Sequence, residues 1–103
     1  MTELASTACR RFESDVSSLD DITSRKMFGG FGVFHRGKMF AMVTSEGKVC
    51  LKAAPGQVPA FLKAGLEQNG RMPYWFLPET IRANPEQLLE WVGGALAAAH
   101  GAT

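Results

Sequence analysis

The residues of this sequence best suited to nucleophilic, base or metal chemistry are two cysteines, Cys9 and Cys50, and two histidines, His35 and His100. A nucleophilic site needs such a thiol next to a base, and a metal site needs ligands at workable spacing. Neither Cys-x-x-Cys nor His-Glu-x-x-His spacing occurs. Cys50 could meet His35 only through the fold, and a strand cysteine usually serves as a small buried hydrophobe. The expectation is therefore no catalytic residue, no metal ligand and no cofactor.

Three other groups of residues could recognise a partner. Gly29, Gly30 and Gly32 match neither the dinucleotide fingerprint nor a P-loop, and no helix start follows them to supply amide donors. Glycine there fits a strand turn or a close backbone approach better. Arg25 and Lys26, with Arg36 and Lys38 in the next hairpin, make a basic edge for phosphate or an acidic protein surface; a solvated rim guarding a strand edge is the plainer account. Tyr74, Trp75 and Phe76 could stack bases, but the sequence interleaves no cations with them. They suit a core or a protein interface. Arg25, Lys26, Arg36, Lys38, Tyr74 and Trp75 are thus the candidate partner contacts.

The elements that must position them can be read from periodicity. Leu4, Ala8, Phe12, Val16 and Leu19 recur at helical spacing, with Thr2 as N-cap and a stop around Ser17 to Asp21. Four strand-like runs follow at 25–28, 31–35, 38–44 and 48–53, with turns at Arg36-Gly37 and Glu46-Gly47. In the third run Met39, Ala41 and Val43 alternate with Phe40, Met42 and Thr44, so both faces are apolar and the strand is central. In the fourth, Cys50 and Lys52 mark a wetter face than Val49 and Leu51. A short helix from Val58 to Ala64 ends at Gly65, and an aromatic strand runs from Pro73 to Leu77. Asn84 and Pro85 open a last helix whose stripe is Leu88, Trp91, Val92, Ala95, Leu96 and Ala99; Gly93-Gly94 inside it points to a close approach by a strand or a second subunit. The order α-β-β-β-β-α-β-α predicts an α+β fold, helices packed against an antiparallel sheet, in one domain spanning residues 1–103.

At 103 residues, with 46% hydrophobic and 20% charged side chains, the chain can bury one core without disulfides. Its net charge of +1 supplies no global field for nucleic acid, so direct DNA binding by the isolated domain is not expected. No apolar run reaches the roughly 20 residues of a membrane span, and the start, Met1 to Leu4, lacks signal-peptide features. The compartment predicted is the cytoplasm.

The stretch Arg25-Lys26-Met27-Phe28-Gly29-Gly30-Phe31-Gly32-Val33-Phe34, then Gly37-Lys38-Met39-Phe40-Ala41-Met42-Val43 and Leu51-Lys52, resembles the N-terminal domain of the TfoX/Sxy competence regulators. Met72-Pro73-Tyr74 and Pro85, Leu88, Leu89, Trp91 and Val92 extend the likeness, so it covers nearly the whole chain. The resemblance implies a compact α+β domain likened to secretion-chaperone folds. It also implies a bacterial regulatory setting, since full-length members carry a further C-terminal domain and act with the cyclic-AMP receptor protein at particular promoters. The function expected is a non-enzymatic regulatory or protein-interaction module, an accessory factor in transcription or competence. Its partner is a protein, with a homodimer through Tyr74, Trp75 or Phe76 as one form of it. The alternative is a small-molecule or peptide-binding domain with a groove beside the aromatic strand.

Overall fold

The structure, a computed structural model, describes residues 2–101; the capping side chain of Thr2 lies outside what is described. Helix α1 (Thr2–Asp15) leads into β1 (Ile22–Met27), β2 (Gly30–His35), β3 (Lys38–Val43) and β4 (Val49–Lys52). A 3-10 turn (Pro55–Gln57), α2 (Val58–Lys63), β5 (Tyr74–Phe76), the single turn α3 (Glu79–Arg82) and α4 (Pro85–Ala99) complete the chain. The five strands form one antiparallel sheet in the order β1-β2-β3-β4-β5, which confirms the α+β expectation with β3 at the centre.

Both short hairpins obey the backbone rule that a two-residue turn matches strand twist when both its residues have positive φ. The pairs are Phe28-Gly29, at 52° and 77°, and Arg36-Gly37, at 51° and 82°. Arg36 is held there by its backbone amide donating to the Asp21 carbonyl at 3.1 Å and by an ion pair with the Asp21 side chain at 3.4 Å.

Helices α1 and α4 pack on the same face of β2, β3 and β4. Phe12 of α1 and Val16 just after it meet Val33, Phe40, Ala41, Val43, Val49 and Leu51 of the sheet and Leu88, Val92 and Ala95 of α4. The simple alternation expected along β3 fails at one point. Val33 pairs with Ala41 but Phe34 with Met39, so Phe40 is an extra residue in β3. The bulge puts Phe40 and Ala41 together on the helix face, Phe40 6.1 Å from the Phe12 ring, and sends Met39 and Met42 to the other.

That second face is drier than the sequence suggests. Cys50, expected on a wet face, is fully buried among Met42, Tyr74, Met39 and Phe76. Asn69 folds over it, its amide 4.0 Å from the Cys50 sulfur and 3.9 Å from that of Met42.

The aromatic strand organises a smaller cluster under α2. Trp75, Phe61, Ala53 and Leu66 are buried there, with Phe61 5.7 Å from the Trp75 ring and 4.9 Å edge-on to Trp91. Trp91 is only half-buried, on the flank of the α4 stripe rather than at its centre, which Leu88, Val92 and Ala95 occupy. At the start of α4 the Asn84 side chain accepts from the amides of Glu86 and Gln87, both at 3.1 Å. Among the described residues no helix is long and apolar enough to cross a membrane.

Candidate functional site

The six candidate contacts do not form one surface. Tyr74 and Trp75 are 7% and 3% exposed and point to opposite faces of the sheet, Tyr74 into the Cys50 cluster and Trp75 into the cluster under α2. Neither has the free area that a homodimer through this strand would need. Gly94 lies against Gln57, which accepts from the Ala54 amide at 2.8 Å and donates to the Gly94 carbonyl at 2.9 Å, whereas a Cβ on Gly93 would meet open space. The close approach at Gly94 is therefore made by a side chain of the same chain.

Arg25, Lys26, Arg36 and Lys38 do stay at the surface, Arg25 and Lys26 on β1 towards the Phe28-Gly29 turn and Arg36 and Lys38 at the other end of the β1–β2 ladder. The stretch from β1 to β4 is more basic than net composition suggests. Residues 22–52 hold six of the eleven lysines and arginines but one of the ten acids, a charge of +5 against −4 for the rest of the chain. Arg36 is paired with Asp21; among the described residues Arg25, Lys26, Lys38, Lys48 and Lys52 form no ion pair. Two of these cations sit on aromatic rings, Arg25 at 4.8 Å from the centre of Phe34 and Lys48 at 5.5 Å from that of Phe76. The cation missing next to Phe76 in sequence is supplied across the sheet.

One residue beside Arg25 and Lys26 was not singled out as a contact by the sequence. Phe28, at the tip of the β1–β2 hairpin, is 88% exposed and has φ of 52°. A bulky side chain in that left-handed region is strained by roughly 1–2 kcal/mol, and here no burial offsets the strain. Its only sequence signal is position, a phenylalanine where a tight turn usually has asparagine or glycine. Just beyond, Gly30 is obligatory, because a Cβ would lie 1.9 Å from the Val43 carbonyl oxygen. The hairpin tip is thus anchored on β3 and holds Phe28 outward.

The groups with chemical potential are disposed differently. Burial pushes the Cys50 thiol up to about 12 and raises that of Cys9, so both are protonated at neutral pH. Cys9 belongs to the helix-side core and Cys50 to the other face. His35 meets His100 instead of a cysteine, Nδ1 to Nε2 at 2.9 Å with the rings edge-on, and ties the end of α4 to β2. A separate groove of about 330 Å³ lies between α2 and α4, floored by Phe61, Ala60 and Trp91 and bordered by Gln57 and Glu90.

A match to the TfoX N-terminal domain spans residues 14–99, from the end of α1 through all five strands to the end of α4. The chain belongs to the TfoX N-terminal domain family. No match was found among curated proteins. For this family member the matched region includes the β1–β2 hairpin, Phe28 and the cations Arg25, Lys26, Arg36 and Lys38.

Proposed function

We propose that this TfoX N-terminal domain protein is a non-enzymatic, cytoplasmic regulatory module that acts by binding another protein, as an accessory factor in transcription or competence. The contact surface is the end of the sheet formed by the β1–β2 hairpin and its cations. The observation that carries this reading is Phe28, bare and strained beside the unpaired Arg25 and Lys26. Strain that packing does not repay is retained where it serves recognition. The protonated state of Cys9 and Cys50 supports a role without thiol chemistry. On this reading duplex DNA is contacted by the partner and not by this chain.

The partner to try first is the bacterial cyclic-AMP receptor protein, with which full-length relatives act. A photo-crosslinking phenylalanine analogue at position 28 should join the two proteins on irradiation, while the same analogue at the exposed Leu4 of α1 should not. Equal adducts from both positions, or no adduct dependent on position 28 with that protein or in host cells, would overturn the proposal.

The α2–α4 groove supports a second reading, a pocket for a small apolar ligand or peptide behind the aromatic strand. Its volume of about 330 Å³ and its Phe61 and Trp91 floor are at the lower end of what such ligands use. Ligand there would change Trp91 fluorescence, whereas partner binding at Phe28 would leave it unaltered.

A further inference from the structure

The two edges of the sheet are finished differently, and the difference identifies what kind of segment the partner contributes. Past β5 the chain covers its own edge: Phe76 donates to the Glu67 carbonyl at 2.8 Å, Asn69 donates to the Tyr74 carbonyl at 2.9 Å, and Gln68 bridges Trp75. Past β1 no described strand pairs, so β2 is its only neighbour in the sheet. Thr23, Ser24, Arg25 and Lys26 are exposed in succession along that open edge. It has six residues, no proline and no bulge, so its backbone can pair over its length.

We propose that β1 is the docking edge for an extended, acidic segment of the partner protein, which adds to the sheet as a sixth strand. The proposal rests on the protein-binding reading above and names the chemistry of the partner. Backbone hydrogen bonds along β1 supply sequence-independent affinity, and side chains set the choice of segment. Arg25 and Lys26 are adjacent in a strand, so they project to opposite faces and call for neighbouring acids on the incoming strand. Phe28, at the end of β1, offers an apolar anchor to a hydrophobic residue at the end of that segment.

Charge decides against the other occupants. A second copy pairing β1 with β1 would bring two Arg25-Lys26 pairs together with no acid inside either strand to relieve them. A single-stranded nucleic acid would need several open ring faces in succession to stack its bases. Phe34 and Phe76 carry Arg25 and Lys48 on them and Tyr74 is buried, which leaves Phe28 as a lone bare ring at the hairpin tip.

The test uses the full chain and three probes: an acetylated peptide of alternating Val and Thr with two adjacent central Glu, the same peptide with two central Lys, and oligo(dT). Amide hydrogen exchange should slow along β1 with the Glu peptide and not with the Lys peptide. The double variant Arg25→Glu/Lys26→Glu should weaken Glu-peptide binding about tenfold, since two favourable cross-strand charge pairs become repulsive. Phe28→Asn, which suits the turn and keeps the fold, should also weaken it. No protection of β1 at millimolar Glu peptide, equal binding of the Lys peptide, or tighter binding of oligo(dT) would each overturn strand addition. A crosslink dependent on position 28 that persists without β1 protection would show that the protein-binding reading survives and only the acidic strand fails.

Discussion

Beyond β5, the backbone of Glu67 and Asn69 closes the sheet, and Trp75, Phe61 and Trp91 pack beneath it; beyond β1, an equally regular strand ends in a bare phenylalanine. The two ends are built from similar residue types. Aromatic side chains near lysines or arginines occur at both, with Lys48 over Phe76 and Arg25 over Phe34. What separates them is whether a later segment of the chain returns to cover them. The residues after α2 do so at β5, and none of the described residues does so at β1. The β5 end is therefore covered by its own chain, and the β1 end leaves surface free for recognition.

The largest effect that would break this contrast is at Trp75. Trp75→Ala should lower unfolding free energy by about 3–5 kcal/mol, because a large buried ring is lost from a cluster with few other members. Chemical denaturation measures it, and a midpoint unchanged from the parent chain would mean that the β5 end is not covered by packed side chains. Gly30→Ala should cost about 2–3 kcal/mol, since the new methyl meets the Val43 carbonyl and the strands must part. That variant tests whether the open hairpin stands on a rigid base; a loss below about 0.5 kcal/mol would show that the tip yields freely.

Alkaline pH sharpens the comparison through Cys50. Its thiol sits at about 12 in the folded chain against 9.0 for an unperturbed cysteine. The folded state therefore holds the proton more tightly, and the resulting stability is complete below pH 9 and is lost as pH rises towards 12. The slope from this group approaches roughly 1.4 kcal/mol per pH unit in that window. Denaturation of the parent chain and of Cys50→Ala at several pH values should give a steeper alkaline loss for the parent. Parallel curves would mean that water reaches the Cys50 face.

The smallest effect is expected at the open end and has the opposite sign. Phe28→Asn should raise stability by about 1 kcal/mol, because asparagine tolerates the left-handed turn conformation and no packing is lost. A drop in melting temperature would show that Phe28 packs against its own chain, and the contrast between the two ends would disappear.

Much of the architecture was legible because local signals agreed with one another. Arg36-Gly37 marked a hairpin turn, Asn84-Pro85 marked the start of α4, and the apolar faces of 38–44 marked a central strand. Helical spacing placed Phe12, Val16, Leu88 and Val92 in the core. These features depend on residues within a turn or two of each other, and a sequence displays such neighbours directly. The position of Arg25, Lys26, Arg36 and Lys38 at the surface follows from charge in the same way.

Tertiary structure alone decided the rest. The bulge at Phe40 reversed the faces of Met39 and Phe40, a shift set by pairing with β2 and invisible in alternation. Burial of Cys50 is completed by Asn69, 19 positions away, and the cation over Phe76 comes from Lys48, just before the neighbouring strand. The single turn α3 is too short to leave a helical period of its own. Phe28 is the clearest case. Its apolar type predicts burial and its turn position predicts strain, and only the absence of any described segment above the hairpin settles that the ring is left in water. The sequence determines which residues are apolar, charged or turn-forming; which of them are covered depends on where distant parts of the chain come to rest.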